Sequence, residues 1–326
     1  MTILGEGKLR YRVAAGGRNW GDLPDGWRYG DVAAVGVDRN DNLYVFSRGE
    51  HPMTVFDRDG RFLRSWGEGT FVRPHGVHMG PDDTIYCTDD GDHTVRKYTL
   101  DGKLLLKIGV SGKPAPFMSG LPFHRCTHTA LAPNGDIYVS DGYGNARVHR
   151  YTPDGKLIAS WGEPGTGPGQ FNIAHNICCD ADGWVYVADR ENHRIQVFDP
   201  HGKYETEWRN LYRPCGLCLC RGAAVGPRFY VAELAPGQEF SNRTWPNLGP
   251  RVSILDRDGK LLARLGDYGG PERPSAFIAP HGIAVDSQGA IYVAELSISV
   301  SGRKADAVPG RDLTTLQKLV PVAEGS

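Results

Sequence analysis

The chain has almost no net charge, with 37 lysines and arginines against 38 aspartates and glutamates. No broad basic field is available to hold a phosphate backbone, which excludes nucleic acid as an expected partner. No apolar run is long enough to span a bilayer, so no membrane partner is expected either. The opening residues, MTILGEGKLRYRV, lack an apolar core of signal-peptide length, and a cytoplasmic location is the expectation. No long amphipathic helix and no compositionally distinct linker can be found, so the 326 residues read as one domain. Cysteine is sparse and odd in number, at 7. Cys87, Cys178, Cys179, Cys218 and Cys220 fall inside predicted strands, where a small buried thiol packs well, and a disulfide framework is not expected. Cys215 and Cys218 have a metal-ligand spacing, but they lie on a predicted strand with no second pair, which argues against a zinc knuckle.

Glycine is plentiful, at 43 residues, beside 22 prolines. Aromatic and β-branched residues are plentiful too, so the glycines indicate tight turns rather than disorder. The stretch NIAHNICCDADGWVYVADRENHRIQVFD, Asn172 to Asp199, shows the pattern most clearly. Three short runs of alternating apolar residues are separated by Gly, Asn and Asp breakers, which is the strand signal.

This unit recurs. Its marker is an Asp-Gly turn between the third and fourth strands, at Asp59-Gly60, Asp101-Gly102, Asp154-Gly155 and Asp258-Gly259, with His201-Gly202 in the equivalent place. Asp-Gly suits a two-residue hairpin, since glycine accepts positive φ at little cost. The intervals of 42, 53, 47 and 57 residues match propeller blades with loop insertions. Units one to five span about Val32–Trp66, Arg73–Gly109, Arg125–Gly162, Asn172–Trp208 and Arg213–Gly266, and unit six begins at about Ala279. Unit five carries an insertion, APGQEFSNRTWPNLGP, at residues 235–250. TLQKLVPV near the C-terminus would give unit six its third strand, and KLRYRVA near the N-terminus would close the ring. The expected fold is all-β, a six-bladed β-propeller, in preference to a β-sandwich. Ring closure hides strand edges that would otherwise aggregate.

In a propeller the first strand of each blade lines the central channel. Aligning the six first strands puts Ala33, His75, His128, His175, Cys215 and His281 in one column. Four of the 11 histidines share that column. Blades two, four and six alternate around a six-membered ring, so His75, His175 and His281 should point inward about 120° apart. Three converging neutral imidazoles make the open three-ligand site of a catalytic zinc, and they also suit Fe, Mn, Co or Cu. His128 could be a further ligand, a group behind the ligands or an acid/base. The remaining histidines, including His149, fall on predicted loops or outward positions.

The loops between second and third strands should lie at the same end as the histidines. Asp89, Asp141 and Asp189 recur in them and suit a structural role, bonding backbone N–H groups. Glu233 and Glu295 replace them in the last two units, as structural equivalents or as carboxylates facing substrate. Arg48, Tyr143 and Arg190 do not recur. The arginines are candidate anion clamps, and a tyrosine beside a cation can act as a base.

The stretch VSDGYGNARVHRYTPDGKLIASWGEPGTGPGQFNIAHNI, followed by VYVADRENHRIQVFD, resembles the peptidyl-α-hydroxyglycine α-amidating lyase family, built on NHL-type repeats. The resemblance extends over about Val32 to Glu295. It implies a catalytic zinc held by His75 in RPHGV, His175 in IAHNI and His281 in APHGI. It also implies a catalytic tyrosine at Tyr143 in SDGYGN and two active-site arginines, Arg48 in FSRGEH and Arg190 in VADREN. Some family features differ here. The disulfide cysteine after the tyrosine is Gly144, the calcium-binding aspartate after the third histidine is Gly282, a methionine is Ala279 and an aspartate is His128. A structural calcium is therefore not carried over, and a secreted peptide substrate is not expected.

Together these residues suggest a metal-dependent lyase acting on a small-molecule substrate, an α-hydroxy amide, carbinolamide or related hydroxy acid. Tyr143 would take the hydroxyl proton, Arg48 and Arg190 would hold oxygens, and His128 would protonate the leaving group. The alternatives are a metal-dependent hydrolase of lactonase type and a non-enzymatic propeller serving as a binding platform.

Overall fold

Apolar alternation turns into burial in a graded way along each repeat. Second strands such as Leu43–Ser47, Ile137–Asp141 and Val185–Asp189 are buried along their whole length. Fourth strands such as Leu104–Ile108 and Leu157–Trp161 are largely exposed, with Leu104, Leu105, Leu157 and Ile158 open to solvent. A strand covered on both faces reads as a nearly continuous apolar run, and one that ends a sheet alternates. The structure, a computed structural model, describes residues 3–14, 19–220, 227–234, 248–266, 276–301 and 313–322. It is a six-bladed β-propeller.

Blade one comprises Val32–Val37, Leu43–Ser47, Met53–Phe56 and Phe62–Trp66, hydrogen-bonded in chain order. Blade two comprises Pro74–Gly80, Thr84–Asp89, Thr94–Thr99 and Leu104–Ile108. Blade three is His128–Leu131, Ile137–Asp141, Arg147–Tyr151 and Leu157–Trp161, and blade four is Ala174–Cys179, Val185–Asp189, Arg194–Phe198 and Tyr204–Trp208. Blade five is Pro214–Cys220, Arg228–Glu233, Arg251–Leu255 and Leu261–Leu265. Blade six takes Pro280–Val285, Ile291–Glu295 and Leu316–Pro321 from the C-terminal part, then Tyr11–Val13 and Ile3–Leu4 from the N-terminus. Tyr11 pairs with Pro321 and Val13 with Leu319, so both ends of the chain share one sheet. Among the described residues helix is confined to Arg190–Asn192 and Ser297–Ser301, and no helix is long and apolar enough to cross a membrane. Residues 235–247 of the unit-five insertion lie outside the described residues.

By packing, the chain divides into two compact bodies, Trp66–Leu219 and Met1–Ser65 with Cys220–Ser326. In the first, Tyr138, Val148, Phe171, Val187 and Phe198 centre one apolar cluster, and Tyr86, Val95, Ile108, Phe123 and Tyr151 centre another. In the second, Tyr29, Val45, Phe56, Tyr292 and Leu316 pack together.

The Asp-Gly hairpins have three-residue loops, not two. Asp57 N–H donates to Arg61 O while Gly60 N–H donates to Asp57 O, and the same pair of bonds closes the turns ending at Gly102, Gly155, Gly202 and Gly259. This is a type I turn followed by a left-handed residue, and all five glycines have φ between +80° and +99°. The first turn residue adds a side-chain cap: Asp57, Asp199 and Asp256 each accept N–H groups two and four residues on. A Cβ on Gly202 would lie 2.6 Å from the Trp161 ring of the preceding blade, so this turn also serves as a packing surface. Gly202→Ala should therefore cost about 2–3 kcal/mol, from positive φ plus the steric overlap. Gly169→Ala, also at positive φ (+74°) but with nothing within 4 Å of its Cβ, should cost only about 1 kcal/mol. Urea denaturation of the two variants beside the wild type checks the difference, and equal losses would contradict the Trp161 contact.

Candidate metal and proton-transfer site

The first strand of four blades carries a bulge at one equivalent place. Register shifts between Val32 and Ala34, Pro74 and Gly76, Ala174 and Asn176, and Pro280 and Gly282. The extra residues are Ala33, His75, His175 and His281. A bulge re-aims a side chain that the regular pleat would send elsewhere. Each of the three imidazoles is almost completely buried. Each also donates Nδ1–H to a backbone carbonyl: His75 to Thr127 at 2.6 Å, His175 to Cys215 at 2.8 Å and His281 to Ala33 at 2.6 Å. A carbonyl can only accept, so Nδ1 carries the proton and Nε2 carries the lone pair. The rings of His75 and His175, both in Trp66–Leu219, stand 4.9 Å apart between centroids, and each offers Nε2 as a ligand atom for a metal.

The carbonyl acceptors also correct the aligned column. Thr127, Cys215 and Ala33 occupy matching positions, and His128 pairs with Ser140 as Gly76 pairs with Thr88. Thr127, not His128, is therefore the blade-three counterpart of the metal-site histidines, and the column reads Ala, His, Thr, His, Cys, His. The offset arises from matching histidine to histidine: Ala33, His75, Thr127, His175 and His281 each stand ten residues before the equivalent second-strand residues Leu43, Ile85, Ile137, Val185 and Ile291. His128 Nδ1 is buried and makes no hydrogen bond among the described residues. Part of the residue remains accessible, yet the ring is closely enclosed, and burial pushes its pKa down to about 4. It is neutral at pH 7.

Tyr143 meets two of these imidazoles. Its hydroxyl lies 3.1 Å from His75 Nε2 and 3.0 Å from His175 Nε2, and Arg190 Nη1 donates to the same oxygen at 3.3 Å. The loop reaches that far because glycine flanks the tyrosine on both sides. A Cβ on Gly142 would lie 2.1 Å from Ala174 O, and one on Gly144 would lie 1.9 Å from the His124 ring. The hydroxyl has one proton to give, while two lone pairs face it. A cation among these atoms would resolve that mismatch, so the donor set fits a metal on chemical grounds.

Arg190 opens the short helix Arg190–Asn192 and is buried. Burial opposes its charge, but Tyr143, Cys215 and Glu191 beside it outweigh that, and its pKa lies above the ordinary arginine value. Cys215 places its sulfur 3.5 and 3.6 Å from the two ring nitrogens of His175, and burial pushes the thiol up to about 11. Arg48 belongs to the other compact body. It is half-buried at the end of Leu43–Ser47, with its N–H donating to Asp31 O at 2.8 Å.

The recurring loop acids are structural, as their repetition suggested. Asp89 accepts from Val72 and Arg73 N–H, Asp141 from His124 N–H, and Asp189 from Asn172 N–H. Glu295 accepts from Ile278 and Ala279 N–H, and Glu233 binds Arg251 and Ser253, so both glutamates are equivalents of the aspartates. His149, expected at an outward position, is fully buried between Asp141 and Ser160. Arg125 was not singled out by the sequence reading, and its guanidinium lies 4.7 Å from the Tyr143 ring centroid. The available signal was an arginine two residues before the column position, seen at Arg73 and Arg213 and displaced at Arg125 by the same one-residue offset.

The NHL repeat family profile matches residues 171–198. Human (Homo sapiens) NHL repeat-containing protein 3 is 33% identical over 303 residues, covering 89% of this chain and 82% of that protein. Peptidyl-α-hydroxyglycine α-amidating lyase 1 of Drosophila melanogaster is 29% identical over 315 residues, covering 83% of this chain and 56% of that longer protein. Among solved structures, virginiamycin B lyase from Staphylococcus aureus, a catalytically inactive variant with quinupristin, matches with TM-score 0.60 at 13% identity, covering 96% of this chain and 100% of that one. That last likeness is one of fold. The identity to the human protein, spread over most of both chains, shows that this protein belongs to the NHL repeat-containing protein 3 family.

Proposed function

We propose that this protein is a metal-dependent lyase for a small α-hydroxy amide or related hydroxy acid. The observation that carries the reading is the meeting of the Tyr143 hydroxyl with the Nε2 atoms of His75 and His175. His75, His175 and His281 would hold a zinc-like divalent ion through Nε2. Such an ion, when bound, polarises substrate oxygens and eases loss of the hydroxyl proton. The similarity to an amidating lyase from Drosophila melanogaster supports the reaction type.

The chain's own residues account for the rest. Tyr143, as its phenolate, takes the proton from the substrate hydroxyl. The carbon–oxygen double bond forms as the carbon–nitrogen bond breaks, and the electron pair leaves on nitrogen. Tyr143 then returns the proton to that nitrogen, giving an amide and an α-oxo acid. This return is assigned to Tyr143 because His128, held neutral near pKa 4, carries no spare proton at pH 7. Arg190, charged and donating to the phenol oxygen, would face the substrate's carboxylate. Arg48 is assigned the second oxyanion contact on the strength of the FSRGEH resemblance.

Two outcomes follow. Purified wild type should contain a stoichiometric divalent transition metal, and His175→Ala should have lost most of it by elemental analysis. Equal, negligible metal in both would remove the proposal. Tyr143→Phe should keep the metal while glyoxylate release from an N-acyl-α-hydroxyglycine falls about 10²–10⁴-fold. A full rate in this variant would exclude the tyrosine as the proton carrier.

A further inference from the structure

Two arginines of Trp66–Leu219, Arg125 and Arg190, lie against Tyr143, and each shares a carboxylate with a further arginine. Arg73 and Arg125 both bind Oδ2 of the fully buried Asp90, Arg125 through Nε at 3.2 Å and Nη2 at 2.7 Å. Arg190 and Arg213 share Glu191, Arg190 through Nε at 2.8 Å and Arg213 through Nε at 3.1 Å and Nη2 at 2.8 Å. Four positive charges stand against two negative ones, and an excess of positive charge remains when Asp89, Asp92 and the Arg96 that engages both are counted with them.

The arrangement is built rather than incidental. Arg125 N–H donates to His93 Nδ1 at 3.1 Å, and Arg213 N–H donates to His193 Nδ1 at 3.1 Å. Both histidines and both arginines have positive φ, so two blades repeat one device. Arg125 lies over the Tyr143 ring at 4.7 Å and Arg190 at 5.5 Å. Arg125 Nη1, and Arg73 Nε and Nη2, make no hydrogen bond among the described residues. The side chains of Arg73 and Arg125 are each 39% exposed. A guanidinium held by a buried carboxylate on one edge, with N–H groups open on the other, is poised for a second oxyanion.

We propose that Arg125 and Arg73 are specificity residues that receive a second carboxylate, on the acyl side of the substrate and remote from the reacting carbon. This rests on the lyase reading, in which Arg190 serves the carboxylate next to the reacting carbon. The preferred substrate is then a dianion, an N-acyl-α-hydroxyglycine whose acyl chain ends in a carboxylate.

The test compares N-succinyl-α-hydroxyglycine with N-butyryl-α-hydroxyglycine, which have acyl chains of equal carbon number and differ in the terminal charge. Wild type should favour the succinyl compound at least ten-fold in kcat/KM. That ratio should collapse toward unity in Arg125→Gln, fall in Arg73→Gln and be partly restored in Arg125→Lys. Calorimetry with the unreactive N-succinylglycine and N-butyrylglycine should show the same preference, weakening as salt rises. If neither hydroxyglycine releases glyoxylate but N-succinylglycine still binds preferentially through Arg125, the lyase reading fails and the carboxylate site stands. If wild type shows no preference in turnover or in binding, the carboxylate site is overturned, whatever the chemistry. The wild-type comparison decides even where a variant fails to fold.

Discussion

The candidate site depends on a hydrogen bond repeated three times: an imidazole Nδ1–H donated to the carbonyl of the matching residue in another first strand. The bond fixes ring orientation, because Nδ1 must face the carbonyl. It also fixes the tautomer, because a carbonyl accepts and cannot donate. A buried histidine that spends one nitrogen this way presents the other as a pure lone pair. Two such lone pairs, on His75 and His175, meet one Tyr143 hydroxyl, whose single proton cannot satisfy both. The backbone supplies this order without any side-chain partner, so the carbonyl's residue is free to vary, as Thr127, Cys215 and Ala33 show.

The fold was legible in the sequence because five blades repeat their turn chemistry. Asp-Gly at four places, His201-Gly202 at a fifth and loop acids in five blades leave little freedom in assigning strands. Loop length was less legible: Asp-Gly is compatible with a two-residue turn, and only the paired bonds between Asp57, Gly60 and Arg61 reveal the third residue. His75, His175 and His281 were legible through their alternate-blade spacing. His128 was misaligned because histidine was matched to histidine. Counted back ten residues from Leu43, Ile85, Ile137, Val185 and Ile291, the column is Ala33, His75, Thr127, His175 and His281, and Thr127 is the residue whose carbonyl meets His75. The burial of His149 could not be read locally either, since it depends on Asp141 from the adjacent strand.

The loop acids show how one scaffold position is held while its partner changes. Asp189 is matched by Arg194 and Gln196, Glu233 by Arg251, and Glu295 by Gln317. In each case the acid ties the loop to a neighbouring strand or backbone, and burial without those bonds would be costly. The histidines and Tyr143 thus stand on loops and strands that are already fixed by interactions having no part in the chemistry, as a precise site requires.

Overall charge misleads about such a site. A chain with 37 basic and 38 acidic residues gives no hint of anion binding. Charge acts locally, however, over a Debye length of about 8–10 Å, and buried groups are screened still less. Around Tyr143, Asp90 and Glu191 each hold two guanidiniums, so each carboxylate orders more positive charge than it cancels. Removing either acid would leave like charges facing one another, and removing the arginines would leave a buried carboxylate unmatched. The pairing is stable as a set yet electropositive as a whole, which is the condition for holding arginines beside a reacting centre while leaving some of their N–H groups for a ligand.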